Sequence, residues 1–467
     1  MLNDWITTMP PKFGTSGLRG LVTDLTVDCV SRYVRGFVVS CPMGQGVYIG
    51  QDLRTSSASL ARIVAQAAAD AGVTATLCGE VPTPALAHSA MADGAAAIMV
   101  TGSHIPADRN GLKFYTPQGE ITKAEEALIQ DACDHAPMDV PTAAIKTATD
   151  VGARYAARYQ TAFGEALTGL RLGLYEQSAV GRDGLANLLR SLGAEITPLG
   201  RSDVFVPIDT EALPDDLRQQ LHNWAREHKL DAIVSTDADG DRPLLTDADG
   251  TVVPGDILGQ ITAQALRADT VVTPISSNSG VAMSGKFGRV IRTAIGSPYV
   301  IAAMQSCTGA VVGYEANGGF LLGFAAQGPT GPLPALMTRD AALPIIAVLA
   351  QSAGAGVKAA VQAQPARFTA ADRLQDVDLS TAATFLDQLR ESDDAKAAFL
   401  MPLGSHCVAV DQTDGLRMTL QDGRIVHLRP SGNAPELRLY VEAATQNDAQ
   451  EVLKDLMPAL KRAITPQ

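Results

Sequence analysis

Over the first three quarters of the chain, short apolar runs alternate with longer Ala-rich amphipathic stretches. GVYIG at 46–50, TATLCG at 74–79 and AAAIMVT at 95–101 read as buried strands, since nearly every position is apolar or small and turn residues bound each run. A helix is predicted from about Thr55, with Ser and Thr as capping candidates and Gly72 as its stop, and a small-residue helix precedes AAAIMVT. This β-α-β-α rhythm predicts a mostly parallel sheet covered by helices. It restarts twice. RLGLY at 171–175, a helix to Leu192, AEITPLG and LDAIVST at 230–236 make a second unit. TVVTPIS at 270–276, a helix near 298–306 and GAVVGYE at 309–315 make a third.

The last hundred residues follow another pattern. HCVAVDQTDGLRMTLQDGRIVHLRP alternates apolar and polar positions around two Asp-Gly turns, at 414–415 and 422–423, and ELRLYVEA and a C-terminal helix follow. That is an α+β unit with an antiparallel sheet. The fold class predicted is therefore α/β, three α/β domains followed by a C-terminal α+β domain. Turn-rich segments at 138–150, 247–256 and 352–366 separate them, giving domains at 1–145, 146–249, 250–362 and 363–467. No sequence repeat recurs at a period of about 20–50 residues.

Composition narrows the function. The chain has 467 residues, 46% of them hydrophobic, and a formal net charge of −13. A sequence-independent nucleic-acid binder needs clustered Lys and Arg, and base stacking needs aromatic residues, which are 5% here; no nucleic-acid partner is expected. The six cysteines, at 29, 41, 78, 133, 307 and 407, form no C-x-x-C pair and fit free thiols in a reducing compartment. MLNDWITTMPPK lacks the pattern of a signal peptide. LPIIAVLA at 343–350 is far short of the ~20 residues that cross a bilayer. The expectation is a cytoplasmic protein with no membrane partner.

Four segments carry candidate chemistry, one in each predicted domain. VTGSHIPADRNGLKFYT at 100–116 places Ser103 just past the C-terminal end of a strand, where open α/β sheets bind ligands. Gly102 permits close approach of a phosphate, and Asn110-Gly111 reads as a hairpin turn that returns Lys113 to the same region. A serine beside a cation can carry a phosphoryl group covalently; taken alone, Gly-Ser-His-x-Pro reads first as an ordinary loop. It is not a G-x-S-x-G elbow, because Ile105 stands two after Ser103. DADGDR at 237–242 follows a buried strand, and alternate residues of an extended loop point the same way, so Asp237, Asp239 and Asp241 can converge on a hard cation such as Mg²⁺. An EF-hand is excluded by Arg242 at its sixth position and Ala248 at its twelfth. A second DADG, at 247–250, reads as a plain hairpin turn.

GYEANGGF at 313–320 offers the Glu315 carboxylate and the Asn317 amide to vicinal hydroxyls. RPSGNAPELR at 429–438 combines the planar fork of Arg429 with Ser431, Gly432 and Asn433 as donors for a terminal phosphate, and contains Arg438. KFGTSGLRG at 12–20 adds Lys12, Thr15, Ser16 and Arg19 in a glycine-flanked loop. An acidic chain that sets its cations in glycine-rich loops points to an anionic ligand there.

KFGTSGLRG, GQDLR, VPTPAL, TGSHIPADRNGLKFY, DADGDR, GYEANGG, ARFTAADRL and RPSGNAPELRLY occur in this order, and over nearly its whole length the chain resembles the α-D-phosphohexomutases, the phosphomannomutase/phosphoglucomutase family. The resemblance implies four domains in a heart-shaped arrangement around a central cleft, three related α/β domains with mixed sheets and a smaller α+β domain. It implies that Ser103 carries the phosphoryl group and, with Asp237, Asp239 and Asp241, holds one Mg²⁺. Arg19, Lys113, Arg242 and His104 would surround the reacting phosphate. Glu315 and Asn317 would bind the sugar, and Arg429, Ser431, Gly432, Asn433 and Arg438 the other phosphate.

The activity implied is reversible transfer of phosphate between O1 and O6 of a hexose, through a phosphoserine enzyme and a hexose 1,6-bisphosphate that serves as intermediate and activator. The expected partner is a phosphosugar, and the expected assembly a monomer or homodimer. A phosphoglucosamine mutase, a phosphoserine-dependent hydrolase and a non-catalytic sugar-phosphate sensor are the alternatives. Three motifs depart from the commoner family pattern. Asn317 and Gly319 stand where the sugar loop has Ser and His, Asn433 and Ala434 replace Thr-Glu in the phosphate loop, and Gly102 and Ile105 differ in the serine loop. Without that His, Lys113 is the better candidate for acid–base work.

Overall fold

A computed structural model describes residues 11–14, 17–134, 140–431 and 435–464. The predicted buried runs are strands, at Val47–Gln51, Ala75–Glu80 and Ala96–Val100, then Arg171–Gln177, Glu195–Arg201 and Ala232–Thr236, then Thr270–Pro274 and Val311–Tyr314. They fall into three mixed sheets, and one four-strand arrangement recurs in all three. In the first, Ala75–Glu80 lies parallel to Val47–Gln51, which lies parallel to Ala96–Val100, and Arg109–Thr116 closes antiparallel. The second sheet repeats this with Glu195–Arg201, Arg171–Gln177, Ala232–Thr236 and Pro243–Leu245. The third repeats it with Arg289–Thr293, Thr270–Pro274, Val311–Tyr314 and Phe320–Leu322. The repeat absent from the sequence is thus present in topology.

This topology positions the chemistry. In every repeat the third strand runs parallel to the second, and the fourth returns antiparallel to the third. The connection between them therefore sits at the carboxyl end of the parallel strands, where helices do not cover the chain. Ser103 lies between Val100 and Arg109, DADGDR between Thr236 and Pro243, and EANGG between Tyr314 and Phe320. Three of the four candidate segments occupy the same place in three copies of one motif.

One apolar interior runs continuously from Cys78 in the first sheet through Leu172, Val234 and Val312 to the helix Ala342–Gln351. That helix, ALPIIAVLAQ, is apolar on every side because it is enclosed. The C-terminal part has a core of its own, under an all-antiparallel sheet of five strands covered by the helix Gln446–Ile464. No described helix is long and apolar enough to cross a membrane.

One local reading does not hold. Asn110-Gly111 is not a turn but lies inside the strand Arg109–Thr116. Tertiary packing uses both residues. The Asn110 amide donates to Ser56 and Ser57 Oγ at 2.8 and 3.0 Å, and a Cβ on Gly111 would sit 2.2 Å from the Leu18 carbonyl oxygen of the neighbouring strand. Lys113 reaches the site from within this strand rather than after a hairpin.

Candidate active site

Ser103 sits in a connection held under strain. Its φ of +52° is in the left-handed region, which a residue with a Cβ adopts at a cost of about 1–3 kcal/mol. Its N–H donates to Thr101 Oγ1 at 2.8 Å, and its hydroxyl is turned out of the first sheet onto the second, donating to Asp237 Oδ2 at 2.6 Å. Lys113 crosses the same junction, with Nζ 2.5 Å from both Asp239 Oδ2 and Asp241 Oδ2. Thr83, from the VPTPAL motif, donates through Oγ1 to Asp239 Oδ2 at 2.5 Å, and its N–H to the Asp239 carbonyl at 2.8 Å. Ser103, Lys113, Asp237, Asp239 and Asp241 thus form one bonded cluster. All five are buried.

Three carboxylates this close cannot share a buried site without countercharge. Burial and the charges of Asp239 and Asp241 drive the Asp237 carboxyl well above the ordinary range. For Asp239 burial works the same way, but Lys113 outweighs it and holds the carboxyl below the ordinary range. One oxygen from each of the three lies within 4.8 Å of the others, and Asp239 Oδ1 and Asp241 Oδ1 are buried with no hydrogen-bond partner. Orphaned, converging hard oxygens are what a divalent cation requires. The residues fit the metal that the sequence suggested.

The surroundings are electropositive. Arg19 pairs in register with Lys12 of the short strand Lys12–Phe13 and Gly111 of the strand Arg109–Thr116. Its guanidinium is pulled down to about 10 by burial and by the charges of Arg242 and Arg339. His104 Nδ1 lies 3.4 Å from Ser103 Oγ, and burial with Arg242, Arg19 and Lys113 lowers its imidazole to about 2. Burial first, and then these three cations, keep the ring neutral, and the same cations favour an incoming anion. Arg242 is buried, with Nη1 3.6 Å from Asp209 Oδ1.

Glu315 and Asn317 form a tight loop in the third sheet. The Glu315 N–H donates to the Gly319 carbonyl at 3.2 Å, and Asn317 Oδ1 accepts the Gly319 N–H at 2.9 Å. The Asn317 amide oxygen thus helps to hold the loop. Arg429 and Arg438 stand opposite each other on the adjacent strands Ile425–Pro430 and Leu437–Ala443, a paired cationic face. Arg438 Nη2 lies 3.1 Å from Glu436 Oε2, and the Ser431 N–H donates to the Glu436 carbonyl at 2.8 Å. Arg429 Nε donates at 2.7 Å to Asp414 Oδ2, which also accepts the Ile295 N–H, just past the strand Arg289–Thr293, at 2.9 Å. The fourth segment is therefore tied to the third domain through Asp414. Of the residues singled out in the sequence, Thr15, Ser16, Gly432, Asn433 and Ala434 lie outside the described residues, as does MLNDWITTMP.

Several residues of the site carried no role in the sequence reading. Arg54, in the GQDLR motif, is buried beneath the serine loop and uses all of its donors there. Nε meets Asp52 Oδ2 at 3.2 Å, Nη1 the carbonyls of Pro106 and Arg109 at 2.7 and 2.9 Å, and Nη2 those of Ser103 and Ile105 at 2.8 and 2.6 Å. Its guanidinium also stacks on Phe205 of the second domain, 4.0 Å from the ring centre. A Cβ on Gly102 would lie 2.7 Å from Arg54 Cζ, which gives the glycine at this departure from the family pattern a physical reason. Asp52 in turn accepts from Ser57 Oγ and Thr101 Oγ1 at 2.5 and 2.7 Å.

Known proteins match this arrangement along almost the entire chain. Residues 10–138 match the family model for the phosphoglucomutase/phosphomannomutase alpha/beta/alpha domain I, 254–368 that for domain III, and 374–459 that for the C-terminal domain. A phosphomannomutase of Salmonella muenchen is 43% identical over 460 residues, covering 96% of this chain and 95% of its own length. One from Sinorhizobium fredii is 43% identical over 479 residues, covering 98% and 100%. In fold, the crystal structure of a putative phosphomannomutase from Thermus thermophilus superposes with a TM-score of 0.76 at 21% identity, covering 97% of this chain and all of that one. The chain belongs to the phosphoglucomutase/phosphomannomutase family.

Proposed function

We propose that this protein is a phosphohexomutase, an isomerase that moves a phosphoryl group between O1 and O6 of a hexose by way of phosphorylated Ser103. The observation that carries the reading is the hydrogen bond from Ser103 Oγ to Asp237 Oδ2. It sets a strained, buried serine of one repeat directly on the carboxylate loop of the next. A module that only binds sugar phosphate needs neither.

The cycle starts with phosphate on Ser103. The free sugar hydroxyl attacks phosphorus, the bond to Oγ breaks, and a hexose 1,6-bisphosphate results. The bisphosphate turns end for end, and Ser103 Oγ takes the other phosphate, releasing the isomer. In each half the proton of the attacking hydroxyl ends on the oxygen that departs, Ser103 Oγ in the first and the sugar oxygen in the second. Lys113, as an ammonium, can give that proton to the sugar oxygen and take one up from the attacking Ser103 hydroxyl. Arg19 and Arg242 hold the phosphoryl oxygens, and Arg429 with Arg438 the phosphate that does not react. Mg²⁺ held by the three aspartates would neutralise charge on the transferring group. Because the sugar binds in both orientations, its contacts must suit either one. O3 and O4 lie between the phosphates and meet that need, and Glu315 can accept from both while Asn317 donates beside it.

Neither contact reads C2, so glucose and mannose phosphates should both turn over and galactose phosphates, inverted at C4, should be poor. The test is a panel of hexose and hexosamine 1-phosphates with hexose 1,6-bisphosphate as primer, followed for 6-phosphate and for free phosphate. Free phosphate as the main product would make the protein a hydrolase. A preference for glucosamine 1-phosphate over all hexoses would reassign the substrate.

A further inference from the structure

Among the described residues one buried arginine touches all three α/β domains, and the mechanism above does not use it. Arg339 lies in the strand Leu336–Asp340 and is 3% exposed. Its Nη2 is 2.9 Å from Asp241 Oδ2 in the carboxylate loop and 3.6 Å from Glu120 Oε1 in the first domain, and Nη1 is 3.5 Å from Glu315 Oε2 in the sugar loop. Glu120 is itself fixed, accepting from Ser297 Oγ at 2.8 Å.

The stem of Arg339 occupies a particular volume. A Cβ built on Gly319 would stand 3.2 Å from Arg339 Cδ, 3.1 Å from Asn317 Oδ1 and 3.0 Å from the Asp241 carbonyl oxygen. Gly319 is where the sugar loop of this chain departs from the family pattern by lacking a side chain, and Arg339 fills the space from the adjoining strand. A planar guanidinium can face two carboxylates through separate nitrogens, whereas an ammonium is one point charge. Arg339 faces Asp241 through Nη2 and Glu315 through Nη1, so neither carboxylate can shift without disturbing the other's partner.

We propose that Arg339 is a positioning residue that orients the Glu315 carboxylate for the sugar and couples it to the Asp237–Asp241 loop, in space that Gly319 leaves open. The proposal rests on Glu315 being the sugar acceptor of a phosphohexomutase.

Two measurements on the full-length protein test it, each beside wild type and a thermal unfolding curve. In Arg339→Lys the charge remains but the fork is lost. We expect KM for the hexose 1-phosphate to rise about 10-fold or more, the usual size for a lost charge-assisted contact, with kcat within about 3-fold. A purely structural role would lower the amount of active enzyme and leave KM unchanged. The second measurement is a double-mutant cycle of Gly319→His, Arg339→Ser and the pair. Gly319→His should cut kcat/KM steeply because Arg339 is in its way. The pair should exceed the product of the two single effects by about 10-fold or more, because the serine frees the volume and the imidazole finds the carboxylates. A folded Arg339→Lys with wild-type KM overturns the proposal. If that variant does not fold, multiplicative combination of Gly319→His with Arg339→Ser overturns it instead. Wild-type protein without mutase activity would sink the functional reading itself, before any variant is compared.

Discussion

Arg54 offers the sharpest test of how the serine loop is held, and Arg54→Lys is the perturbation to make. The substitution keeps the positive charge beside Asp52 but replaces a five-donor fork with three donors on one nitrogen. Arg54 makes contacts to Asp52 and to the carbonyls of Ser103, Ile105, Pro106 and Arg109. With one ammonium donor kept on Asp52, two of the four carbonyls lose theirs. Each buried acceptor left unmet costs about 1–3 kcal/mol, and the three that are only partly buried fall at the low end. The total is about 2–4 kcal/mol, the same size as the strain stored at Ser103. The loop can shed that cost by relaxing, and relaxation takes Oγ off Asp237. At ~1.4 kcal/mol per decade, the ratio of molecules with the loop in place to those with it relaxed falls by roughly 30-fold or more. The expected result is a loss in kcat of up to that size, with KM for the sugar phosphate within a few-fold, because the Glu315 and Arg429 regions are untouched. Amide hydrogen exchange over residues 101–109 should quicken while the C-terminal sheet stays protected. Wild-type kcat together with wild-type exchange over 101–109 would refute the reasoning, and Arg54 would then be only a buried ion pair.

Other perturbations separate the remaining parts of the site. Ser103→Ala should abolish turnover and remove the 80-Da phosphate adduct (the mass of HPO₃, a chemical constant) from intact-mass spectra without unfolding the protein. EDTA should abolish activity and Mg²⁺ restore it, and Asp239→Asn should shift the Mg²⁺ titration to higher concentration, since it removes charge from an orphaned oxygen set. Arg429→Ala should weaken binding of 1-phosphate and 6-phosphate alike, by about 10–100-fold for the loss of one charge-assisted contact; a loss confined to one isomer would mean the loop is no shared anchor. His427 is 2% exposed and stacked on Tyr440, and burial lowers its imidazole to about 4. The unfolded chain binds that proton near pH 6.5 and the folded one does not, so this contribution to stability is complete above about pH 6.5 and drains away towards pH 4. About 2 kcal/mol should be gone by pH 5, and unfolding midpoints at pH 7.5 and 5 should differ less in His427→Gln than in wild type.

Much of this was legible in the sequence, for a reason the topology explains. A buried parallel strand announces itself by an unbroken apolar run, and a ligand loop follows its carboxyl end. Ser103, Asp237 and Glu315 could therefore be located from VTGS, VSTD and VGYE without any knowledge of how the three sheets meet. Their convergence was open to the motif order but not to the residues alone. The hydrogen bond from Ser103 to Asp237 spans 134 positions, and the Lys113 contacts to Asp239 and Asp241 span 126 and 128. Local pattern has nothing to say at that range.

What stayed hidden shares a physical character. Arg54 acts almost wholly on backbone carbonyls, and a carbonyl has no residue type, so no partner motif marks the contact. Arg339 had a faint signal, a lone Arg-Asp pair inside the apolar stretch LPALMTRDAALPII, because a charge in a buried strand must be paired with something. The sequence could say that a partner existed, but not that the partners were Asp241 and Glu315. Asn110-Gly111 failed in the opposite sense. The dipeptide is a strong turn signal when only the chain's own backbone is considered, yet the glycine was needed for a neighbouring carbonyl 2.2 Å from where its Cβ would be, and the asparagine for two serine hydroxyls. A glycine selected for close approach and a glycine selected for positive φ look the same in one sequence. Telling them apart requires the neighbour, and Gly102 against Arg54 and Gly319 against Arg339 pose the same ambiguity within the site itself. At all three positions the missing side chain makes room for another residue, so an alanine there should disturb that neighbour before it disturbs the local backbone.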